Sequence, residues 1–364
     1  MAVQARIAVL PPGRRELDVR DVTLDAPGPY EVIVEQKAFG VCHSQLDRVD
    51  RAGRTEAMVL GHESIGTVVA VGHRVDYVEP GDEVSTSWVP RTPLAGRAPV
   101  PSRVVLGDGE VASTHNSFTW GTHAVIDEQY VVKVPQHIPL DLGTVIGCAV
   151  MTGAGAVVNS ADVRAGQSVA VWGTGGVGLC SVAAASIVGV DTLIAVDVDD
   201  DKLELARQFG ATDTVNVKNV DAVDAIRALT PHPDGTSGVD FAFDCTGIGA
   251  NIPVGLASVR PAPKGSGRRG GANVLVGIPR VPFELTGMDL VGGGKSLIGC
   301  EGGSSDPERD FPTFIGWSLD GRFDATRLVT NRYRLDQINT AVDDLRSGRV
   351  RGRAVVELQG PNGE

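Results

Sequence analysis

The chain has 364 residues, of which 42% are hydrophobic and 21% are charged, and its formal net charge at pH 7 is −12. Its length predicts two domains, because a single hydrophobic core stops growing at about 250–300 residues. The composition excludes a disordered or fibrous chain, and the acidic balance argues against a nucleic acid or an anionic membrane as partner.

Neither a signal peptide nor a membrane span is predicted. The apolar stretch at the amino terminus is too short for a signal peptide, and we find no run of about 18 uncharged apolar residues. The five cysteines are few, odd in number and widely spaced, which does not fit a disulfide framework. We therefore expect a cytoplasmic protein, in which Cys180, Cys245 and Cys300 serve packing.

Up to about residue 150 the sequence has the pattern of short strands interrupted by Gly and Pro. Strands are predicted in "EVIVEQKAFG", "IGTVVAVG", "DEVSTSW" and "THAVIDEQYVVKVP". Residues 89–101, rich in Pro and small side chains, are predicted to form a loop. This part is expected to be a compact all-β unit.

After residue 150 apolar runs alternate with helical patterns. The runs are "SVAVWG", "TLIAVD", "DTVNV", "FAFDCTG", "NVLVGI" and "KSLIGC", and such alternation predicts a doubly wound parallel sheet. The last segment predicts a helix and a strand that return to the first domain. The predicted domains are therefore residues 1–150 with 300–364, and residues 151–299.

The segment "VWGTGGVG" follows a predicted strand and opens a predicted helix. In that context Gly173, Gly175 and Gly178 fit a dinucleotide-binding turn, with the pyrophosphate at the helix start. Asp197 ends the next strand, where a carboxylate accepts hydrogen bonds from ribose hydroxyls and repels a 2′-phosphate. We therefore expect NAD rather than NADP; the alternative is a glycine turn that binds no ligand.

The segment "GVCHSQLD" places a thiol, an imidazole, a hydroxyl and a carboxylate close together, at Cys42, His43, Ser44 and Asp47. A nucleophile–base pair between neighbours is disfavoured, because adjacent residues of an extended chain point to opposite faces. Partners for Cys42 occur elsewhere, in "LGHES" and "VIGCAV". Two thiolates, one imidazole and an open position form the ligand set of a catalytic zinc ion; these ligands are Cys42, His62 and Cys148.

Over nearly its whole length the sequence resembles the zinc-dependent medium-chain alcohol dehydrogenases. The resemblance rests on "GVCHS", "LGHESIGTVVAVGHRV", "EPGDEV", "VIGCAVMTGAGA", "GTGGVGL", "AVDVDDDKLELARQFGAT", "GVDFAFDCTG" and "LRSGRVRGRAVV", in this order. It implies an α/β chain with a GroES-like β-barrel catalytic domain and a Rossmann coenzyme domain. It also implies hydride transfer between a primary or secondary alcohol and NAD.

The resemblance also implies roles for individual residues. Glu63 matches a carboxylate that can transiently reach the metal, and Ser44 matches the hydroxyl that takes the substrate proton. His43 and Arg353 match basic groups near the coenzyme pyrophosphate. The remaining coenzyme-binding candidates in the matching motifs are Thr152 and Val177 near the nicotinamide, Gly173, Gly175, Gly176, Gly178, Asp197 and Lys202.

Three positions depart from the family pattern. Residues 89–117 contain none of the four cysteines that hold a structural zinc in many relatives, so we expect one zinc ion per chain. Gln45 stands where an Asp commonly orients the zinc-bound histidine, which puts the strength of metal binding in question. Asp47 stands where some members have a relay histidine.

The resemblance places one aromatic side chain, Trp88, in the substrate pocket. A pocket edged by tryptophan favours a bulky or aromatic alcohol. Its candidate companions could equally belong to the core; they are Met58, Thr114, His115 and Trp120.

Two other functions are also compatible with the sequence. One is a zinc-poor or zinc-free NAD(P)H-dependent reductase of activated double bonds or carbonyls in the same superfamily. The other is a dinucleotide-binding sensor without activity. The expected partners are a small alcohol, aldehyde or ketone and a second copy of the chain, paired through edge strands near "NVLVGIPR", with a tetramer as alternative.

Overall fold

The computed structural model describes residues 2–91 and 96–358, which form two compact units. Unit 1 comprises Met1–Cys148, Asp306–Ser318 and Asp324–Glu364, and unit 2 comprises Ala149–Ser305 and Leu319–Phe323. Compared with the predicted boundaries, residues 149–150, 300–305 and 319–323 belong to the second unit.

The described residues contain strands and helices in the following order. The strands are β1 (Val3–Leu10), β2 (Asp18–Leu24), β3 (Glu31–Val41), β4 (Met58–Val59), β5 (Ser64–Val71), β6 (Glu83–Thr86), β7 (Arg103–Val105), β8 (Val111–Ser113), β9 (His123–Asp127), β10 (Val131–Lys133), β11 (Ser168–Trp172), β12 (Thr192–Asp197), β13 (Asp213–Asn216), β14 (Phe241–Asp244), β15 (Ala272–Leu275), β16 (Ser296–Gly299), β17 (Val329–Tyr333) and β18 (Arg353–Glu357). The helices are α1 (His43–Asp50), α2 (Leu140–Val145), α3 (Met151–Gly155), α4 (Gly176–Val188), α5 (Asp200–Gln208), α6 (Ala222–Leu229), α7 (Asn251–Ser258), α8 (Gly287–Val291), α9 (Pro307–Leu319) and α10 (Ile338–Arg346).

Unit 1 is built on two sheets, with β3 as the strand that connects its cores. One sheet has the order β2-β1-β4-β8-β7; the other has the order β10-β6-β5-β3-β18-β17, with β9 also paired to β3. Val32, Ile33 and Val34 belong to one hydrophobic cluster, whereas Phe39 and Val41 belong to another. The strand therefore carries two apolar stretches, one for each cluster, with the polar residues 35–37 between them.

Unit 2 contains a six-stranded parallel sheet in the order β13-β12-β11-β14-β15-β16. This is the strand order of a doubly wound dinucleotide-binding fold. Helix α4 ends at Gly189, whose φ of 87° lies in the left-handed region that glycine adopts without strain. The strand in "NVLVGIPR" is β15, which lies between β14 and β16, so the prediction of an edge strand there was wrong; within the described residues the edge strands of this sheet are β13 and β16.

One apolar helical segment corrects the sequence analysis. Leu140–Ser160 is long and apolar enough to cross a membrane by length and composition, because the charge of Asp141 lies too near its start to interrupt the apolar run. Its most apolar window is 94% buried inside the structure. The segment is therefore a core helix that is as long and apolar as a membrane span.

The cysteine-free segment is held to the rest of unit 1 by a buried charge cluster; its residues 92–95 lie outside the described part. Arg97 donates to both carboxylate oxygens of Asp127, at 2.5 and 3.1 Å. Asp127 is fully buried and also accepts hydrogen bonds from the backbone of Val100 and Gln129. A buried charge with this many partners is a specific anchor rather than a solvated surface pair.

Candidate active site

Two of the predicted zinc ligands lie at the ends of paired strands. Cys42 directly follows β3 and caps the start of α1, and His62 lies just before β5. The pairing continues beyond β5, since the backbone N–H of Gly40 donates to the carbonyl of Glu63 at 3.1 Å. The ladder therefore brings the two ligand-bearing segments together.

Trp120 supports both segments from behind. Its indole N–H donates to the carbonyl of Gly40 at 3.1 Å, and its ring would lie 2.4 Å from a Cβ added to Gly61. The side chain is fully buried in the core. The sequence left Trp120 open between the substrate pocket and the core; its side chain is buried in the core, where it supports the metal segments.

The third ligand, Cys148, lies in the widened helical turn Ile146–Val150. Such π-helical turns occur mostly at functional sites, because the extra residue per turn redirects a side chain. Gly147 packs so closely on the end of β6 that an added Cβ would lie 1.9 Å from the carbonyl oxygen of Thr86. This contact fixes the turn, and with it Cys148, against the strand.

The three ligand atoms have the spacing that tetrahedral zinc requires. All lie within 4.8 Å of one another, and all three residues are buried. The sulfurs of Cys42 and Cys148 are 3.8 Å apart, and His62 Nε2 lies 3.3 Å from Cys148 Sγ. Zinc–sulfur bonds of about 2.3 Å at tetrahedral angles separate two sulfurs by about 3.8 Å, and a sulfur from a nitrogen by about 3.6 Å. The residues present therefore fit the metal.

A buried ion pair lies beside these ligands. Arg353 Nη2 donates to Glu63 Oε2 at 3.1 Å, and the two side chains are 5% and 0% exposed. Burial raises the pKa of Glu63 to about 7, against the opposing charge of Arg353. Glu63 is not one of the three clustered ligands, and Arg353, for which a role at the coenzyme pyrophosphate stays a prediction, is buried beside Glu63.

The two thiols are electrostatically unequal. The pKa of Cys42 lies well below its usual value, because Cys148 donates a hydrogen bond to it and the charges of Arg353 and His62 favour the thiolate. The pKa of Cys148 lies well above its usual value, because it is the donor in that hydrogen bond and because it is buried. One thiol is thus ready to bind a cation and the other holds the proton that binding would release.

The first turn of α1 presents further predicted residues. Ser44 Oγ donates to Cys42 Sγ at 3.4 Å, which puts its hydroxyl next to a metal-binding sulfur. Gln45 Nε2 lies 2.7 Å from His62 Nδ1, the contact expected at that position. His43 and Asp47 are exposed on the same helix.

In unit 2 the glycines of "VWGTGGVG" have the geometry of a phosphate-binding turn. Gly173 has a φ of 83°, and an added Cβ on Gly178 would lie 1.9 Å from the carbonyl oxygen of Gly173, so only glycine permits this approach of helix and turn. Around Gly175 nothing lies within 4 Å of an added Cβ. That space lies at the start of α4, which begins at Gly176 and whose first turn includes the half-buried Val177.

Asp197 ends β12 and is fully engaged by the chain itself. Its Oδ2 accepts from the backbone N–H and the hydroxyl of Thr174, and its Oδ1 accepts from the N–H groups of Val198 and Asp199. Four acceptor positions are all that a carboxylate offers. The sequence predicted Asp197 as a binding residue but did not reveal its hydrogen bonds with Thr174. Of the other coenzyme candidates, Lys202 lies in the first turn of α5 and Thr152 is buried in α3.

The other predicted pocket residues lie in unit 1. Trp88 is half-buried just after β6, close to the strand end on which the turn of Cys148 packs. Met58 pairs with Ser113 between β4 and β8, and Thr114 follows β8. His115 is exposed, and nearby Arg48 of α1 lowers its pKa.

Comparison with known proteins agrees with this geometry. The family model described as "Alcohol dehydrogenase GroES-like domain" matches residues 28–136, and that described as "Zinc-binding dehydrogenase" matches residues 176–320. S-(hydroxymethyl)glutathione dehydrogenase of Paracoccus denitrificans is 32% identical over an alignment of 375 positions, which covers 95% of this chain and 98% of the relative. The chain belongs to the zinc-dependent medium-chain alcohol dehydrogenases.

Further relatives extend the match over nearly the whole alcohol dehydrogenase chain. Geraniol dehydrogenase of Castellaniella defragrans is 33% identical and covers 95% of this chain and 96% of the relative. The crystal structure of benzyl alcohol dehydrogenase from Acinetobacter calcoaceticus superposes with a TM-score of 0.85 at 28% identity, covering 98% of this chain and 99% of the other. A zinc-binding alcohol dehydrogenase protein from Burkholderia ambifaria gives a TM-score of 0.87 at 32% identity, covering 99% and 100%.

The predicted family and fold are confirmed. This chain is an NAD-dependent alcohol dehydrogenase with a Cys-His-Cys zinc site. The described residues contain one cluster of three or more metal-binding side chains, and all five cysteines are free thiols.

The first prediction concerns metal content. We expect one zinc ion per chain in the purified protein, and its loss from Cys42→Ala and from Cys148→Ala, because three ligands are needed to hold it. The matched control is Cys245→Ala, which removes a thiol outside the cluster and should keep the metal. Atomic absorption measures the stoichiometry; two zinc ions per chain, or full zinc in Cys42→Ala, would contradict the assignment.

The second prediction concerns coenzyme choice. Asp197→Ala should weaken NAD binding roughly ten- to hundredfold, because hydrogen bonds to a charged group contribute about 1.5–3 kcal/mol, and should narrow the preference for NAD over NADP. Binding is measured by quenching of protein fluorescence. The control is Asp213→Ala, which removes a carboxylate from the start of β13, at the end of that strand away from Asp197. It should change neither the NAD affinity nor the preference for NAD over NADP. Unchanged NAD affinity in Asp197→Ala would refute the role of Asp197.

Proposed function

We propose that this dehydrogenase oxidises primary alcohols carrying a bulky apolar or aromatic group, with NAD⁺ as acceptor, and reduces the matching aldehydes in reverse. The observation that carries the proposal is the buried Cys42, His62 and Cys148 cluster with zinc spacing. The choice of substrate is supported by the half-buried Trp88 and by relatives named for geraniol and benzyl alcohol.

The metal and the coenzyme define what the protein residues must do. When bound, zinc supplies a Lewis acid that makes the alcohol hydroxyl more acidic, and NAD⁺ supplies the hydride acceptor. Cys42, His62 and Cys148 are the proposed zinc ligands, and they leave the fourth position open for substrate. Glu63 and Arg353 are buried beside them as an ion pair.

Ser44 is proposed to accept the proton from the alcohol. Its hydroxyl lies 3.4 Å from Cys42 Sγ, so it is one ligand removed from the metal position. A hydroxyl can accept a proton on one lone pair while passing its own to a neighbour, which makes it a relay rather than a final base. His43 and Asp47, exposed on the same helix, are candidates for the next group outward.

Coenzyme binding is proposed to use Gly173, Gly175 and Gly178 for the pyrophosphate and Asp197 for the adenosine ribose. The backbone donors to Asp197 are fixed by the chain, whereas the Thr174 hydroxyl can rotate away. A ribose hydroxyl would therefore take the place of the Thr174 hydroxyl at Asp197. Thr152 and Val177 are the proposed neighbours of the nicotinamide.

The third prediction tests the activity directly. With NAD⁺ we expect higher kcat/KM on benzylic and long allylic primary alcohols than on ethanol, because the larger group buries more apolar surface. S-(hydroxymethyl)glutathione serves as a comparison substrate, since relatives act on it by name. Initial rates are followed as NADH absorbance, with and without a zinc chelator.

Ser44→Ala and Ser44→Thr provide the matched pair for that measurement. Loss of the hydroxyl should lower kcat by about 10²–10⁴-fold, the usual contribution of a positioned proton acceptor, while threonine retains the hydroxyl and most of the rate. Full activity of Ser44→Ala would rule out its role. Activity on activated double bonds that survives chelation would favour the zinc-free reductase, and tight NADH binding without any turnover would favour the sensor.

We also propose that the chain acts as a cytoplasmic homodimer joined through unit 2. Among the described residues β16 is one of the two edge strands of the parallel sheet, and unpaired edges invite pairing with a second chain. Four large apolar side chains between β15 and β16 are 58–78% exposed; they are Ile278, Val281, Met288 and Val291. Five free thiols, two of them proposed metal ligands, favour a reducing compartment.

The fourth prediction tests this interface. Val291→Glu should shift the protein from dimer to monomer, because a buried unpaired charge at an interface costs several kcal/mol. The matched control is Val105→Glu, which puts the same charge on an exposed valine of unit 1. Sedimentation velocity gives the masses; a wild-type monomer, or a dimer unaffected by Val291→Glu, would contradict the proposal.

A further inference from the structure

The side-chain amide of Gln45 makes two contacts with the segment that carries His62. Its Nε2 lies 2.7 Å from His62 Nδ1, and its Oε1 accepts from the backbone N–H of Gly61 at 3.2 Å. Gln45 is the third residue of α1 and is half-buried. An amide nitrogen only donates hydrogen bonds and an amide oxygen only accepts them. Once the oxygen accepts from Gly61, the nitrogen must therefore be the donor toward His62.

In the arrangement observed, every one of these groups is satisfied. The Gly61 N–H has the amide oxygen, and the Gln45 nitrogen donates to His62 Nδ1. This makes Nδ1 an acceptor and leaves the imidazole proton on Nε2, which faces Cys148 Sγ at 3.3 Å. The hydrogen bonds therefore favour the tautomer of His62 that carries its proton on Nε2, the nitrogen that faces the metal position.

Zinc at this site requires the opposite tautomer. A neutral histidine that binds a metal through Nε2 carries its proton on Nδ1, which then needs an acceptor. Gln45 can accept that proton only by turning its oxygen toward His62. Its nitrogen would then face the Gly61 N–H, and two donors would meet.

Gly61 is poorly placed to relieve that conflict by moving. Its φ is 99°, and a Cβ added there would lie 2.3 Å from Thr119 Oγ1 and 2.4 Å from Trp120 Cδ1. The backbone is thus pressed against fully buried side chains of the core. A buried N–H that loses its acceptor costs about 1–3 kcal/mol, so metal binding by His62 is opposed by the loss of the hydrogen bond from the Gly61 N–H to Gln45.

We propose that Gln45 is a positioning residue whose hydrogen bond with Gly61 competes with zinc binding at His62. This competition weakens the affinity of the site for zinc. A carboxylate in the same place would accept from both donors at once. The inference rests on the zinc site proposed above. Its consequence is a metal that exchanges more readily than it would beside a glutamate or aspartate.

The decisive variant is Gln45→Glu, which keeps the shape of the side chain and turns its nitrogen into a second acceptor. We expect it to lower the zinc dissociation constant about ten- to hundredfold, the usual effect of an outer partner of a ligating histidine. The constant is measured on the full chain by competition between the protein and a chromogenic chelator for Zn²⁺. Equal affinities for wild type and Gln45→Glu would overturn the proposal.

The added negative charge needs a control of its own. Asp50→Asn removes a carboxylate from the same helix, where Asp50 pairs with Arg346 rather than with Gln45. We expect this change to leave the zinc dissociation constant within about twofold, because exposed charges are screened by solvent and salt. A change as large as that of Gln45→Glu would show that charge alone sets the affinity.

A second measurement reports the hydrogen bond itself. Zinc should speed amide hydrogen exchange at Gly61 in the wild type, because the amide oxygen leaves that N–H, and should leave it unchanged in Gln45→Glu. A Gly61 exchange rate that does not respond to Zn²⁺ in the wild type would overturn the proposal. Absence of zinc binding by wild type and Gln45→Glu alike would overturn the zinc site as well, which separates the two failures.

Discussion

The antiparallel pairing of β3 with β5 is the constraint on which the metal centre depends. Register places Phe39 opposite Ser64, so the residues that follow β3 and those that precede β5 emerge at the same end of the sheet. Cys42 and His62 are separated by nineteen residues of sequence, yet the ladder leaves their side chains little freedom to part. The conformational entropy lost in ordering the two ligand segments is therefore compensated by formation of the sheet rather than by metal binding.

The same sheet accounts for the ion pair behind the ligands. Strand β18 pairs with β3 such that Ala354 lies opposite Val41, and the next residues outward on the two strands are Arg353 and Cys42. A segment from the end of the chain thereby delivers a positive charge beside a thiolate. Trp120 completes the arrangement, since its indole holds Gly40 while its ring packs on Gly61.

Much of this could be predicted from sequence, and the limits have physical causes. The fold class of each domain can be predicted from the spacing of its apolar runs. The zinc ligands can be predicted from residue type, because few functions require two thiols and a histidine in such motifs. The place of Trp120 stayed open in the sequence analysis, because a tryptophan in a core and one in a pocket give the same sequence pattern. The edge position of β16 depends on strand order, which apolar runs alone do not reveal.

Contacts between individual polar atoms were the least predictable part. That Gln45 departs from the family pattern is visible in the sequence, but its simultaneous contact with Gly61 and His62 depends on the first turn of α1 and on the left-handed φ at Gly61. The same holds for Asp197, where the carboxylate was expected and the occupation of all its acceptor positions by Thr174 and the following backbone was not.

The charges of the centre explain why its two thiols differ and what zinc changes. Cys42, Cys148 and Glu63 can each carry a negative charge in a buried site, and among them Arg353 supplies one fixed positive charge. Burial raises the pKa of Glu63 to about 7, and the hydrogen bond to Cys42 together with burial raises the pKa of Cys148 well above its usual value. A bound divalent cation would supply two further positive charges, which would let all three groups ionise together. The centre is therefore electrically balanced only with its metal, and the buried ion pair is part of that balance rather than a separate stabilising contact.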